Sequence, residues 1–148
     1  MRHLKRTAKL GRTSQHRNLM LANLVCSLII HRRVATTLAK ARAARSVAEK
    51  VMTLAKSGSL HDRRLASSRL RQEVAVRILF NDIAPTQKDR QGGYTRIVKM
   101  NQRQGDSAQL AILEWVDATA IAAASTAAKA ETSAKPAGEA PAAPGETK

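Results

Sequence analysis

Apolar residues recur at helical spacing over four stretches of the chain and crowd into short runs elsewhere. Leu21, Leu24, Val25, Leu28 and Ile29 fall on one helix face. That spacing predicts a core helix from Ser14, its expected N-cap, to about His31. Val34–Thr37 is short and β-branched in character, a candidate strand, and Thr37 is then placed to cap a second helix, Leu38 to about Lys56. Ala41, Ala44, Ala48, Val51, Met52 and Ala55 make that helix's apolar face, and Gly58 ends it. Ser59 with Asp62 three residues on resembles a capping box, with Asp in place of Glu, and opens a third helix over about Leu60–Leu70. A fourth, about Gln72–Ile83, is expected to bury Val74, Val76, Leu79 and Ile83 or their neighbours, with Pro85 stopping it. Past Gly92-Gly93, two apolar runs, Tyr94–Met100 and Ala108–Val116, flank a turn at Gly105-Asp106 and predict an antiparallel hairpin. A lone hairpin is marginal in water, so it should pack on the helices, joined by Val34–Thr37. The expected fold class is α/β of the α+β kind: about four helices on a small, mainly antiparallel sheet.

Charge changes this picture by dividing the chain. The sequence has 26 Lys and Arg against 11 Asp and Glu, a formal net charge of +15. Such a charge repels itself until a polyanion neutralises it, and nucleic acid is the commonest one. Arg2, Lys5, Arg6, Lys9, Arg12, Arg17, Arg32, Arg33, Lys40, Arg42 and Arg45 all precede the first acidic residue, Glu49. Residues 49–117 mix both signs. From Ala118 onward the chain is mostly Ala, Thr, Ser, Pro and Gly. Three parts are therefore expected: a basic arm over 1–13 without apolar period, extended when free; a globular domain over 14–117; and a flexible Ala/Pro-rich tail over 118–148, whose Ala118–Ala130 has helical propensity but almost no large apolar side chain.

Cys26 is the single cysteine, which excludes an intramolecular disulfide and fits a reducing cytosol. The apolar stretch Leu19–Ile30 is broken by Asn23 and Ser27, short of the ~20 residues that span a bilayer. It runs into His31-Arg32-Arg33 rather than a cleavage site, so neither an export signal nor a membrane partner is expected.

The candidate chemistry is that of phosphate binding. A basic arm can follow an irregular RNA surface, and dense phosphate contacts offset the entropy of ordering it. Arg63, Arg64, Arg69, Arg71 and Arg77 form a second basic group, which fits a contact surface and a solvated helix face equally well. Arg90, Arg96, Lys99 and Arg103 flank the glycine pair and the hairpin, where backbone can approach phosphates closely. His3, His16, His31 and His61 lack metal-like spacing, and Cys26 sits among core positions. No nucleotide-binding loop, nucleophile motif or paired carboxylates occur, so no metal, cofactor, small-molecule substrate or catalysis is expected. Phe80, Tyr94 and Trp115 are the only aromatics, too few for a stacking platform, which leaves RNA shape and phosphates as the basis of recognition.

Several separated motifs resemble bacterial large-subunit ribosomal protein seventeen. They are Met1-Arg2-His3, Leu10-Gly11-Arg12 with His16-Arg17, Thr36-Thr37 before Ala41-Arg42, Thr53-Leu54-Ala55-Lys56, and above all Gly92-Gly93-Tyr94-Thr95-Arg96-Ile97, followed by Lys99, Arg103, Gly105-Asp106, Glu114 and Val116. The resemblance spans about residues 1–117. It implies an α/β domain that binds large-subunit ribosomal RNA beside other large-subunit proteins, near the exit region of the peptide tunnel, without catalysis. Leu4 and Arg32-Arg33 depart from the family's usual residues. The expected role is that of a structural ribosomal constituent in the cytoplasm. Arg2, His3, Lys5, Arg6, Lys9, Arg12, His16 and Arg17 are the expected arm contacts, and Arg42, Arg45, Arg96, Lys99 and Arg103 the domain contacts. The rival readings are a nucleoid-type or regulatory DNA-binding protein, which needs a recognition helix or dimer symmetry, and an RNA-modifying enzyme, which needs a cofactor loop or a paired acid and base.

Overall fold

The computed structural model describes residues 8–116. Arg2, His3, Lys5 and Arg6 of the expected arm, and the expected tail with its Ala118–Ala130 segment, lie outside the described residues.

Helix α1 is Ser14–His31, and it buries Leu21, Ala22, Val25, Cys26, Leu28 and Ile29. Its N-cap is Thr13 rather than Ser14: Thr13 is extended, and its carbonyl already accepts from the Arg17 N–H at 2.9 Å. The helix therefore starts one residue earlier than its polar cap suggested. Leu24 is half-buried at the core's margin. Arg32 ends α1 in the left-handed conformation, φ 68°, and turns the chain directly into strand β1, Arg33–Thr37.

Helix α2, Leu38–Ser57, packs the expected alanine-rich face, whose small side chains let it lie close against its neighbours. Gly58, at φ 72°, ends it by donating its N–H to the Leu54 carbonyl, a conformation in which a Cβ would be strained. Helix α3, Leu60–Leu70, is capped by Ser59, whose Oγ accepts from the Asp62 N–H at 3.1 Å. The Ser59 hydroxyl also donates to the Asp62 carboxylate at 2.6 Å. Asp62 thus bonds the cap's hydroxyl, not its backbone N–H as a Glu in a full capping box would.

Helix α4 begins at Glu73–Ile78, widens to a π turn over Leu79–Ile83 and closes with a last turn, Ala84–Thr86. Pro85 does not stop the helix at Ile83. In the wide turn the Ala84 N–H reaches back five residues to the Leu79 carbonyl, a register that admits a proline with no N–H of its own. Val76, Leu79 and Ile83 are buried as expected, with Phe80 and Ala84; Val74 is 63% exposed, and its neighbour Ala75 is buried in its place.

Strands β2, Thr95–Gln102, and β3, Gln109–Trp115, complete an antiparallel sheet in the order β1-β3-β2. The pairing sets Ala35 opposite Ile112, and Ile112 opposite Val98. A register shift between Lys99 and Gln102 carries β2 two residues beyond the expected Met100. On β3, Ala111, Leu113 and Trp115 face the helices and are fully buried, as strand alternation requires. The sheet is locked to the helices by Trp115, whose indole Nε1 donates to the Leu28 carbonyl at 3.1 Å. Leu28 lies in the last turn of α1, where carbonyls lack helical partners. Cys26 does the same for α3, its Sγ lying 3.5 Å from the Leu70 carbonyl. No helix among the described residues is long and apolar enough to cross a membrane.

Candidate nucleic-acid interface

The described acidic residues are mostly engaged within the fold, and they neutralise particular cations. Arg96 of β2 is paired with Glu114 of β3 at 2.8 Å. Arg103 grips Asp106 across the hairpin turn through both Nε and Nη2. The guanidinium, with the Ala108 N–H, pulls the Asp106 carboxyl down to about 2. Two of the three expected hairpin contacts thus already hold a carboxylate, and Lys99, exposed on β2, has no ion pair among the described residues. Elsewhere Asp82 lies 3.5 Å from Arg32, and Glu73 pairs with Arg77 along α4.

The α1–α2 side is different. Arg17, Arg42 and Lys50 line one groove of about 670 Å³ together with Ala8, Asn18, Leu21 and Ser46. Arg42, Ser46 and Lys50 follow one another at four-residue spacing along α2, which brings them to one stripe of that helix. None of these three cations has an ion-pair partner among the described residues, and the lining contains no Asp or Glu. His16 and Lys40 line a second hollow of about 430 Å³ between α1 and Thr36 of β1. Lys9 is exposed in the approach to α1, and Arg45 is exposed on α2 outside the groove lining. Arg12 serves the fold: it donates to the Leu10 carbonyl at 3.0 Å, within a turn closed by the Arg12 N–H on the Lys9 carbonyl. Among the described residues no three His, Cys, Asp or Glu side chains group as metal ligands.

Residues 20–116 match the family model described as ribosomal protein L17. This chain belongs to the ribosomal protein L17 family. It is 52% identical over 117 residues to large ribosomal subunit protein bL17 of Methylacidiphilum infernorum, covering 79% of this chain and 89% of that protein. To the protein of the same name from Akkermansia muciniphila it is 50% identical over 134 residues, 90% of this chain and 98% of the relative. To that of Trichlorobacter lovleyi it is 51% identical over 120 residues, 81% and 97% respectively. The family indicated by the Gly92–Ile97 motif and its companions is therefore the right one.

In this L17-family chain the motif Gly92-Gly93-Tyr94-Thr95 has a structural explanation that residue types alone did not reveal. Gly92 and Gly93 take φ of 127° and 64°, values open to glycine. They swing the backbone so that the Tyr94 and Thr95 N–H groups meet the carboxylate of Glu49 on α2, at 3.2 and 3.0 Å. The Thr95 hydroxyl adds a third bond at 2.8 Å. Glu49 thereby fixes the start of β2. Its one sequence signal is that it is the first acid after an acid-free stretch and lies beside the core positions of α2. Lys56 reinforces the join, donating to the Arg90 carbonyl with its Nζ 5.4 Å from the Tyr94 ring centroid. Gln87, buried, donates to the Val116 carbonyl at 2.7 Å and accepts from Arg90 Nε at 3.1 Å. Of the departures from the family pattern, Arg32 caps α1 and Arg33 stands opposite Glu114 in the sheet, while Leu4 lies outside the described residues.

Proposed function

We propose that this chain is a structural constituent of the large ribosomal subunit that binds large-subunit ribosomal RNA and touches neighbouring large-subunit proteins, with no catalytic step of its own. The observation that carries the reading is the match over residues 20–116 with a family whose relatives are named large ribosomal subunit proteins. The charge arrangement supports it. Described acids tie the sheet and helices together, while Arg17, Arg42 and Lys50, without an ion pair among the described residues, line a groove that suits a phosphate backbone. Arg2, His3, Lys5, Arg6, Lys9 and His16 extend the basic surface from the arm, with Arg45 and Lys99 as further domain contacts. Arg96 and Arg103 must share or exchange their carboxylates to serve the same purpose. The arm over 1–13 supplies RNA contacts, the domain over 14–117 the rigid body, and the tail over 118–148 is dispensable for both.

Binding of the full chain to large-subunit ribosomal RNA, with duplex DNA as competitor, tests the reading. The RNA should be retained against excess DNA. Equal displacement by DNA would instead favour the DNA-binding reading.

A further inference from the structure

A second groove lies between α1, α2 and the C-terminal end of α3, continuous with the first through Asn18, Leu21, Val47 and Lys50. We infer that this second groove seats an unstacked nucleotide of single-stranded RNA, an inference that rests on the RNA-binding role proposed above. Its floor is aliphatic: Leu21 and Ala22 of α1 are buried and Val47 of α2 half-buried. Such a floor gives the flat face of a base apolar contact without an aromatic platform. Asn18 stands in the lining, and its amide carries a donor and an acceptor side by side, the pattern found on base edges. Lys50, Arg69 and Arg71 line the same groove, exposed and without an ion pair among the described residues, and no acid is in the lining. Arg71 is held in a left-handed turn, φ 59°, by its N–H on the Ser67 carbonyl at 2.8 Å, so the backbone bearing this cation is fixed.

The groove's volume, about 400 Å³, is that of a small-ligand site; a duplex would rest on its rim without entering. Cations lie on both sides of the floor, because the adjoining groove adds Arg17 and Arg42. A single strand laid along the two grooves meets phosphate-binding groups before and after the seated base. That alternation of apolar floor and cation is the chemistry of unpaired RNA. It assigns a role to Asn18 and Lys50, which the sequence had not singled out, and to Arg69 and Arg71, for which the sequence left a contact surface and a solvated face equally open.

The probe is an oligouridylate of about ten nucleotides, a length within the usual range of single-strand sites, binding to the full chain. Lys50→Glu with Arg71→Glu should weaken it about tenfold and lower the salt slope by about 1.4, the loss of two single-strand phosphate contacts. Arg64→Glu with Lys88→Glu makes the same change of charge at exposed positions outside the groove and should have a much smaller effect. Asn18→Ala, which removes no charge, should weaken the single strand several-fold and leave duplex RNA unaffected. A 4-thiouridine crosslink should map to α1, α2 or the end of α3. Equal weakening by both charge reversals, or crosslinks confined to the β2–β3 hairpin, would overturn the inference. Circular dichroism of each variant separates loss of binding from loss of fold. If the wild-type chain sediments with large subunits while these comparisons fail, the groove assignment alone falls. If it does not sediment with them, the ribosomal role falls as well.

Discussion

Glu49 shows how much one side chain decides. Its carboxylate receives two backbone N–H groups and a hydroxyl at the start of β2. Glu49→Ala leaves those donors in a part-buried site without their acceptor. Bonds to a charged group contribute about 1.5–3 kcal/mol each in favourable cases, less when neighbours relax. A loss of about 2–3 kcal/mol in urea denaturation is expected, and a smaller loss for Glu49→Gln, which keeps one acceptor oxygen. Asp106 offers a test by pH. Its carboxyl titrates at about 2 because Arg103 and the Ala108 N–H bind the charged form. The depressed value means that its contribution to the hairpin is complete above the ordinary carboxyl value, about 3.9. It is lost as pH falls towards about 2. A carboxyl NMR titration of the folded chain should place the midpoint near the lower figure; a midpoint near the ordinary value would mean the pair is not formed in solution. Cys26 runs the other way. Burial pushes its thiol up to about 11, so its effect on stability is constant below the unfolded thiol's value, about 8.5. Stability should decline as pH rises from there towards the folded value. Thiol reagents at neutral pH should react with Cys26 only through opened molecules, far more slowly than with a free thiol.

At the scale of elements, the helices and strands join through their ends. Trp115 satisfies a carbonyl of the last turn of α1, so Trp115→Phe should cost about 1 kcal/mol for the bond, read as a lowered denaturation midpoint. Leu28→Asp places an unpaired carboxylate in the core at a cost comparable to the whole stability of a small domain, and its helical circular dichroism should collapse. Deleting residues 1–8 should leave the fold intact. Deleting 1–13 also removes Leu10, which packs on the core, and Thr13, the cap of α1, and should cost stability besides. The four helices and three strands were legible in the sequence because apolar period and turn residues agree there: Gly58 ends α2, Ser59 opens α3, and the Gly105 turn joins β2 to β3. Less legible were features that exist only once elements meet. Val74 and Ala75 are both apolar, and only packing decides which turns inward. The π turn that admits Pro85 is a backbone adjustment without a residue signature. The basic residues were visible, but not which of them the acids neutralise. Arg96 and Arg103 looked as free as Arg42 until β3 and the hairpin turn placed Glu114 and Asp106 beside them. The grooves between α1, α2 and α3 join residues from Ala8 to Arg71, and no spacing rule predicts such a union.

For the whole molecule, a net charge of +15 is organised by a fold that engages most of its described acids with partners in the sheet, the hairpin turn and the helices. The acid-free grooves on the helical side are left to meet a polyanion. Affinity for ribosomal RNA should therefore fall steeply with salt, and replacing Arg2, Lys5, Arg6 and Lys9 together by Ala should flatten that dependence. The slope of log affinity against log salt reads the effect directly; an unchanged slope would remove the arm from the RNA contacts. The most direct test of the ribosomal role is sedimentation of the tagged full chain through high-salt sucrose gradients of bacterial lysate. The chain should run with the large subunit, remain there when subunits are separated from one another, and be released when the RNA is digested. A chain found at the top of the gradient, or equally with free DNA and small subunits, would contradict that role.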